Sequence, residues 1–268
     1  MATIPERISF SGARIWNTCR YQWRLSYVDR CEDRIVATGL LYGKVLHVAL
    51  AAGYLAIMGN GSALDVRACA LDALAIAWDE NDLPWSEDYE GACEIIERQF
   101  RDDVVRAHQE NGDVLAVEQY LVGTVSGMTT DGVLRSAEVS CVIDLVLART
   151  GSSSVEIRDH KLGAPRSAGG NRQLALYGDV WDAHHPDLLT ERVSLSFPTG
   201  GELDVRQLED GWRNEARTWI LTARDEIENT AEIGDWPPNP SPFNCSRCDY
   251  RHRCPAAVSA HLERADID

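Results

Sequence analysis

Asp144, Asp159, His160 and Lys161 are the residues of this chain best equipped for chemistry. Asp159 and Lys161 lie two apart in Val155–Leu162, a segment that reads as a β-strand, so both face the same way. Asp144 lies on the preceding strand, Val133–Ala148. A two-residue turn at Gly151-Ser152 sets Asp144 opposite Asp159, and a four-residue turn moves the match by about one pair. Directly opposed side chains hold their Cβ atoms roughly 4.5–5.5 Å apart. Carboxylates that close repel unless a cation joins them, and oxygen ligands of this kind suit Mg²⁺ or Mn²⁺. An isolated Asp-x-Lys on a strand is most often a solvated pair of little energetic weight. The context of Asp144 argues for more. It follows Val142-Ile143 and precedes Leu145-Val146-Leu147, where an unpaired carboxylate is costly.

A second constellation is made of thiols. Cys245-x2-Cys248-x5-Cys254 sits near the C-terminus, and Cys19, near the other end, is the natural fourth member. Zinc ribbons draw their ligands from two nearby pairs, whereas this set requires the chain to close on itself. Four thiolates fit tetrahedral zinc or a 4Fe–4S cluster. His252 lies inside the C-terminal knuckle and competes as a zinc ligand, and Cys31 competes for the fourth position. Cys31, Cys69, Cys93 and Cys141 otherwise read as small buried hydrophobes.

The elements that must position these groups are those of an ordinary globular chain. It has 268 residues, 44% of them hydrophobic and 25% charged, which suits one large domain or two small ones. No run of about 18 apolar residues appears, so no membrane span is expected. The N-terminus lacks the basic-then-apolar pattern of a signal peptide, so a cytoplasmic location is expected. There, eight cysteines point to metal or redox chemistry rather than disulfides.

The formal net charge of −16 opposes nucleic-acid binding taken alone. The arginines are clustered, however, at Arg7, Arg14, Arg20, Arg24, Arg30 and Arg34 and again at Arg158, Arg166 and Arg172, which leaves either a local basic groove or scattered surface charge. Only two lysines occur, Lys44 and Lys161. Lysine is a compact charge with a movable pKa, unlike arginine.

Helices are expected over 9–28, 43–58, 62–80, 90–110, 172–183 and 205–230, with strands over 114–125, 133–148, 155–162 and 193–197. Asn111-Gly112-Asp113 is a stop and Ala164–Gly170 a loop. The expected organisation is one domain. A helical lobe covers 1–112, a mixed sheet with its helix 113–200, a long helix 201–240 and a cysteine-bound end 241–268. Trp16, Tyr21 and Trp23 are placed either to stack on unpaired bases or to pack in a core. Gln173 and Tyr177, at i and i+4, share one helix face. His47 lies on an apolar helix, where a lone histidine is usually a core residue.

Taken in order, His47, Asp144, Asp159-His160-Lys161 and Gln173-Leu174-Ala175-Leu176-Tyr177 resemble the PD-(D/E)XK nuclease superfamily, in its RecB-like exonuclease branch. The cysteine set resembles the iron–sulfur members, which include the AddB nuclease domain and CRISPR-associated RecB-like exonucleases, some of them phage-encoded. The likeness runs from about Ile8 to Pro255. It implies an α/β, restriction-endonuclease-like mixed sheet flanked by helices. It also implies a metal-dependent DNA exonuclease acting on single strands or ends. His47, Asp144, Asp159 and the His160 carbonyl would hold Mg²⁺ or Mn²⁺, and Lys161 would orient the attacking water and offset phosphate charge. Gln173 and Tyr177 would position the water, the lysine or the strand. Cys19, Cys245, Cys248 and Cys254 would hold a structural 4Fe–4S cluster, favoured over zinc. His160 stands where the family often has tyrosine, and Cys141 where glycine is common. A homo-oligomer or a recombination or CRISPR-type partner would concentrate DNA-facing charge on this acidic body. The rival reading is a non-catalytic DNA-binding or adaptor protein of such a complex.

Overall fold

The computed structural model describes residues 3–149, 151–162 and 171–257. The loop expected at Ala164–Gly170, with Arg166, lies outside them. In chain order the elements are β1 (Ile8–Ser9), α1 (Phe10–Thr18), α2 (Arg20–Tyr27), α3 (Thr38–Met58), α4 (Ala63–Glu80), α5 (Glu87–Gln99) and α6 (Asp102–Asn111). There follow β2 (Val114–Met128), β3 (Leu134–Ala148), β4 (Ser154–His160), α7 (Asn171–His184), β5 (Leu189–Phe197), β6 (Glu202–Gln207), α8 (Asp210–Ile233) and α9 (Pro242–Ser246).

The chain divides into two compact units. One comprises residues 38–123 and 141–213. Its sheet is mixed: β3 runs antiparallel to β4, β4 parallel to β5, and β5 antiparallel to β6. The parallel step requires a crossover, which α7 supplies. On α7, Leu174, Ala175, Leu176, Val180 and Trp181 are buried. The helical part is built on α3 and α4, whose Val45, Leu46, Leu50, Tyr54, Leu74 and Trp78 join Phe100, Leu145 and Leu147 in one core. Ser62 opens α4 with a reciprocal capping box to Asp65, which satisfies two otherwise orphaned groups. Gly112, at φ +60°, closes α6, in the left-handed conformation that glycine adopts without strain.

The other unit comprises residues 1–37, 124–140 and 214–268. In it, β1 pairs in parallel with β3 through Ile8↔Val139 and Ser9↔Ser140. Trp16, Trp23 and Trp236 form its aromatic centre. Trp23 stacks on Trp236 with centroids 5.6 Å apart, and Trp16 meets both edge-on. Trp16 and Trp23 are therefore core residues, buried to 2% and 3% exposure, and do not face a nucleic-acid strand.

Three expected helices differ in the structure. The segment 9–28 is two helices, broken at Cys19 (φ −160°, ψ 113°). The break follows Asn17 and Thr18, whose side chains bond back to the Ala13 and Arg14 carbonyls, as such residues do where a helix ends or bends. The segment 90–110 is also two helices, parted at Phe100-Arg101. Phe100 is fully buried against Tyr54, with centroids 5.3 Å apart, and Asp102-Asp103 favour a new helix start. The segment 205–230 begins as β6, an exposed strand paired with β5 across the Phe197–Gly201 turn. Its alternating Leu203 and Val205 have a period of two.

Gly53 on α3 lies directly under the Phe100 ring, so an added Cβ would collide with it. Gly53→Ala is expected to lower stability by about 1–3 kcal/mol. Gly91→Ala, where a Cβ meets nothing, is expected to leave it unchanged or raise it. Urea unfolding midpoints of the two variants check this.

Candidate active site

The site lies within the unit formed by 38–123 and 141–213. The β3–β4 hairpin pairs Leu145↔Arg158, Val146↔Ile157 and Leu147↔Glu156, and Arg149 N donates to Ser154 O at 3.0 Å at its turn. One step further along this register, Asp144 faces Asp159. Lys161 continues β4 by one residue, its N–H donating to Ser196 O of β5 at 2.8 Å.

His160 is held through its backbone. Its N–H donates to Asp144 Oδ2 at 2.8 Å, and its carbonyl lies 3.0 Å from His47 Nε2. The His160 ring points the other way, is 4% exposed, and stacks on Tyr54 with centroids 5.8 Å apart. Neither of its ring nitrogens has a hydrogen-bond partner. Burial holds its pKa well below the usual histidine range, so the ring is neutral. His47 reaches the cluster from α3, with Nδ1 3.5 Å from Asp144 Oδ2 and 3.9 Å from Glu118 Oε1. Burial lowers its pKa as well.

His47, Glu118 and Asp144 bring one ligand atom each to within 4.8 Å of one another. Glu118 is the residue that sequence reasoning missed. It sits in β2 with φ +48°, a left-handed conformation costly for a side chain other than glycine. Buried positions fall at Ala116 before it and at Leu121 and Val125 after it, so the strand's alternation changes phase across Glu118. The two carboxylates suit Mg²⁺ or Mn²⁺, and the imidazole also suits softer divalent ions such as Fe²⁺ or Zn²⁺, so the group can hold a divalent cation. The group therefore fits the metal this fold would hold.

Asp159, only 3% exposed, faces the lysine. Lys161 Nζ lies 2.7 Å from Asp159 Oδ2 and donates to Gln173 Oε1 at 3.1 Å. Gln173 Nε2 lies 2.8 Å from both Asp159 Oδ1 and the Tyr177 hydroxyl. Asp159, Lys161, Gln173 and Tyr177 thus form one network, and His47, Glu118, Asp144 and the His160 backbone form a second beside it. Burial, then the charges of Asp159 and Glu118, push the Asp144 carboxyl up to about 8. Burial also raises the Tyr177 phenol and pushes the Cys141 thiol up to about 12, which leaves Cys141 an inert packing group.

The thiols form a separate site in the other unit. Cys19, Cys245, Cys248 and Cys254 line one pocket, with Leu25, Tyr250 and Ala257 among its walls. Burial, followed by the charges of Cys19 and Cys254, pushes the Cys248 thiol up to about 11. Cys31 and His252 are engaged elsewhere: Arg253 donates to Cys31 Sγ at 3.0 Å, and His252 lies 3.3 Å from Asp33. Some of the clustered arginines are engaged in ion pairs. Arg158 is buried and bonded to Glu156 and Ser194, Arg20 pairs with Glu226 and Arg24 with Asp29. A local basic groove, one of the two readings of these arginines, would therefore not include Arg158.

The profile of the PD-(D/E)XK nuclease superfamily matches residues 7–255. The chain belongs to the PD-(D/E)XK nuclease superfamily. Its mixed sheet flanked by helices is the restriction-endonuclease-like fold of that family. Nucleases of this superfamily act on DNA and use divalent metals, and the His47–Glu118–Asp144 group supplies an acidic site for one. The fold is similar to that of a candidate exonuclease from Eubacterium rectale, at TM-score 0.53 and 13% identity over 87% of this chain and 84% of that one. A second structure, SSO0001, aligns over 83% of this chain and 98% of its own at 10% identity and a TM-score of 0.35, too distant to carry an argument. No curated protein matches the chain.

The raised Asp144 pKa gives this nuclease a signed pH dependence. The unfolded carboxyl ionises near 3.9, whereas the folded one holds its proton to about 8 without a cation. Between these values the unfolded chain binds fewer protons, so this group's contribution to stability falls as pH rises. A cation competes with that proton. Mn²⁺ is therefore expected to raise Tm more at about pH 8.5 than at about pH 6, and Asp144→Asn to abolish the difference in thermal melts.

Proposed function

We propose that this nuclease is an Mg²⁺- or Mn²⁺-dependent DNA exonuclease acting on single strands or strand ends, with a structural 4Fe–4S cluster. The observation that carries the hydrolytic reading is the pair of adjoining networks, one with the donor set for a hard cation and one presenting an ammonium group. His47, Glu118, Asp144 and the His160 carbonyl would hold the cation, with Asp159 turned toward the lysine. A divalent cation there supplies stabilisation of charge on the phosphoryl oxygens and activation of water.

The chain's own residues do the rest. Asp159 and Gln173 fix the Lys161 ammonium at 2.7 and 3.1 Å, leaving it 40% exposed to meet a phosphate and a water. Gln173 is in turn fixed by Tyr177, so the lysine is preorganised rather than recruited, as electrostatic catalysis requires. Val146 and Ile157, two positions from Asp144 and Asp159 on the same strand faces, are fully buried, which keeps the local dielectric low and strengthens these interactions.

For the thiol site, the convergence of Cys19 with the three C-terminal cysteines on one pocket supports a four-thiolate cofactor. Thiolate ligands suit iron–sulfur or zinc, and the resemblance to iron–sulfur nucleases favours the former.

End-labelled single strands incubated with Mn²⁺ are expected to shorten from an end. Lys161→Ala is expected to cut about 10²–10³-fold more slowly while still binding the strand. Unchanged cleavage by Lys161→Ala, or none by the wild type with either metal, would sink the hydrolase reading. Protein purified without oxygen is expected to contain iron and to absorb near the blue end of the visible spectrum. Cys248→Ser should lose both signals, and zinc in place of iron would overturn the cluster assignment.

A further inference from the structure

α3 is apolar on more than the face it buries. Its best 18-residue window has a mean hydropathy of 1.6, high enough in length and composition to cross a membrane, yet the helix belongs to the core of its unit. Val45, Leu46, Ala49, Leu50 and Tyr54 fill that core, and one such stripe is all that a globular helix needs. On another face, Val48 and Leu55 are 43% and 54% exposed. With Ala51 and Ala52 of α3 and Ala73 of α4 they wall an open groove of about 620 Å³. His47 and Glu118 of the metal site line the same groove. Lys44, hydrogen-bonded to Asn81 at 3.1 Å, lines it as well.

We propose that this groove holds the unpaired bases of the strand whose phosphate lies at the metal site. The assignment rests on the nuclease reading and adds to it the subsite that selects single strands. Continuity carries the argument. His47 and Glu118 belong to both surfaces, so a nucleotide joined to a phosphate at the cluster has its base at the mouth of this groove. The groove runs from Lys44 to Leu55, about 16 Å along the helix axis, a length for several stacked bases rather than one.

The chemistry of the walls names the occupant more closely. Aliphatic side chains accept the flat face of any base, and the walls between Val48 and Leu55 offer no group to read a base edge. Binding there is sequence-tolerant, as it is on other single-strand platforms. A duplex keeps its base faces stacked inward and shows only edges in its grooves, so paired DNA gains nothing from this surface. Lys44 supplies the cationic contact that a backbone entering the groove requires.

The test compares a single strand carrying bases with an abasic strand of equal length, both with Mn²⁺ and the full chain. The wild type is expected to favour the base-bearing strand by about 10-fold in kcat/KM, from burial of base faces against the apolar walls. Leu55→Asp and Val48→Asp, both at exposed positions, should lose about 10-fold more on the base-bearing strand than on the abasic one, mainly through KM. Equal cleavage of the two strands by the wild type, or equal slowing of both by the variants, would overturn the assignment. So would sedimentation showing a wild-type dimer that Leu55→Asp dissociates, because the groove would then be covered by a second copy. If the wild type cuts neither strand, the nuclease reading fails first and the groove assignment with it.

Discussion

A carboxylate taken out of water must be compensated, and Asp144 has the charge of Lys161 set against burial and two acidic neighbours that together outweigh it. Asp159 faces it across the hairpin, Glu118 approaches from β2, and burial lowers the pKa of the adjacent His47. One peptide N–H, from His160, is its close donor. The geometry that imposes this is a pile of rings behind the site. His160 rests on Tyr54, Tyr54 on Phe100, and Phe100 occupies the space that Gly53 leaves open. The candidate site is thus anchored through the His160 backbone to the buried aromatic core of its unit. Packing of that kind resists deformation, so the repulsion among the acidic groups is not relieved by their moving apart.

Much of this was legible in the sequence because strand pairing is a simple rule. The glycine-serine turn placed Asp144 against Asp159, and the i, i+4 spacing of Gln173 and Tyr177 put both in the lysine network. Glu118 was not legible, because it depends on a single residue in a left-handed conformation that breaks the alternation of β2. No composition rule announces such a residue, although an acidic group inside an apolar run was a weak signal. Arg158 was misread as a surface cation. Its neighbour Glu156, two positions away on the same strand face, was the available hint that it would be buried as half of an ion pair. The strand β6 escaped because its side chains are mostly exposed and its order comes from the ladder to β5.

The thiol site shows a different balance. The spacing of the C-terminal cysteines was plain, but how Cys19 would join them was not. The expected continuous helix over 9–28 would have made Cys19 one more helical side chain. Instead the chain stops there and restarts, with Cys19 in extended conformation between two helices. Asn239 N lies 3.4 Å from its sulfur. A local break in secondary structure, driven by Asn17 and Thr18 bonding to their own helix, is what turns a distant cysteine into a member of the cluster.

The scarcity of lysine has a practical corollary. Both side-chain amines, Lys44 and Lys161, belong to the same functional unit, one lining the apolar groove and the other within the ionic network. The remaining 24 basic side chains are arginines, which acylating agents leave alone. Apart from the α-amine, amine-directed labels, surface immobilisation through amines, and enzymatic acetylation would therefore fall on this one unit.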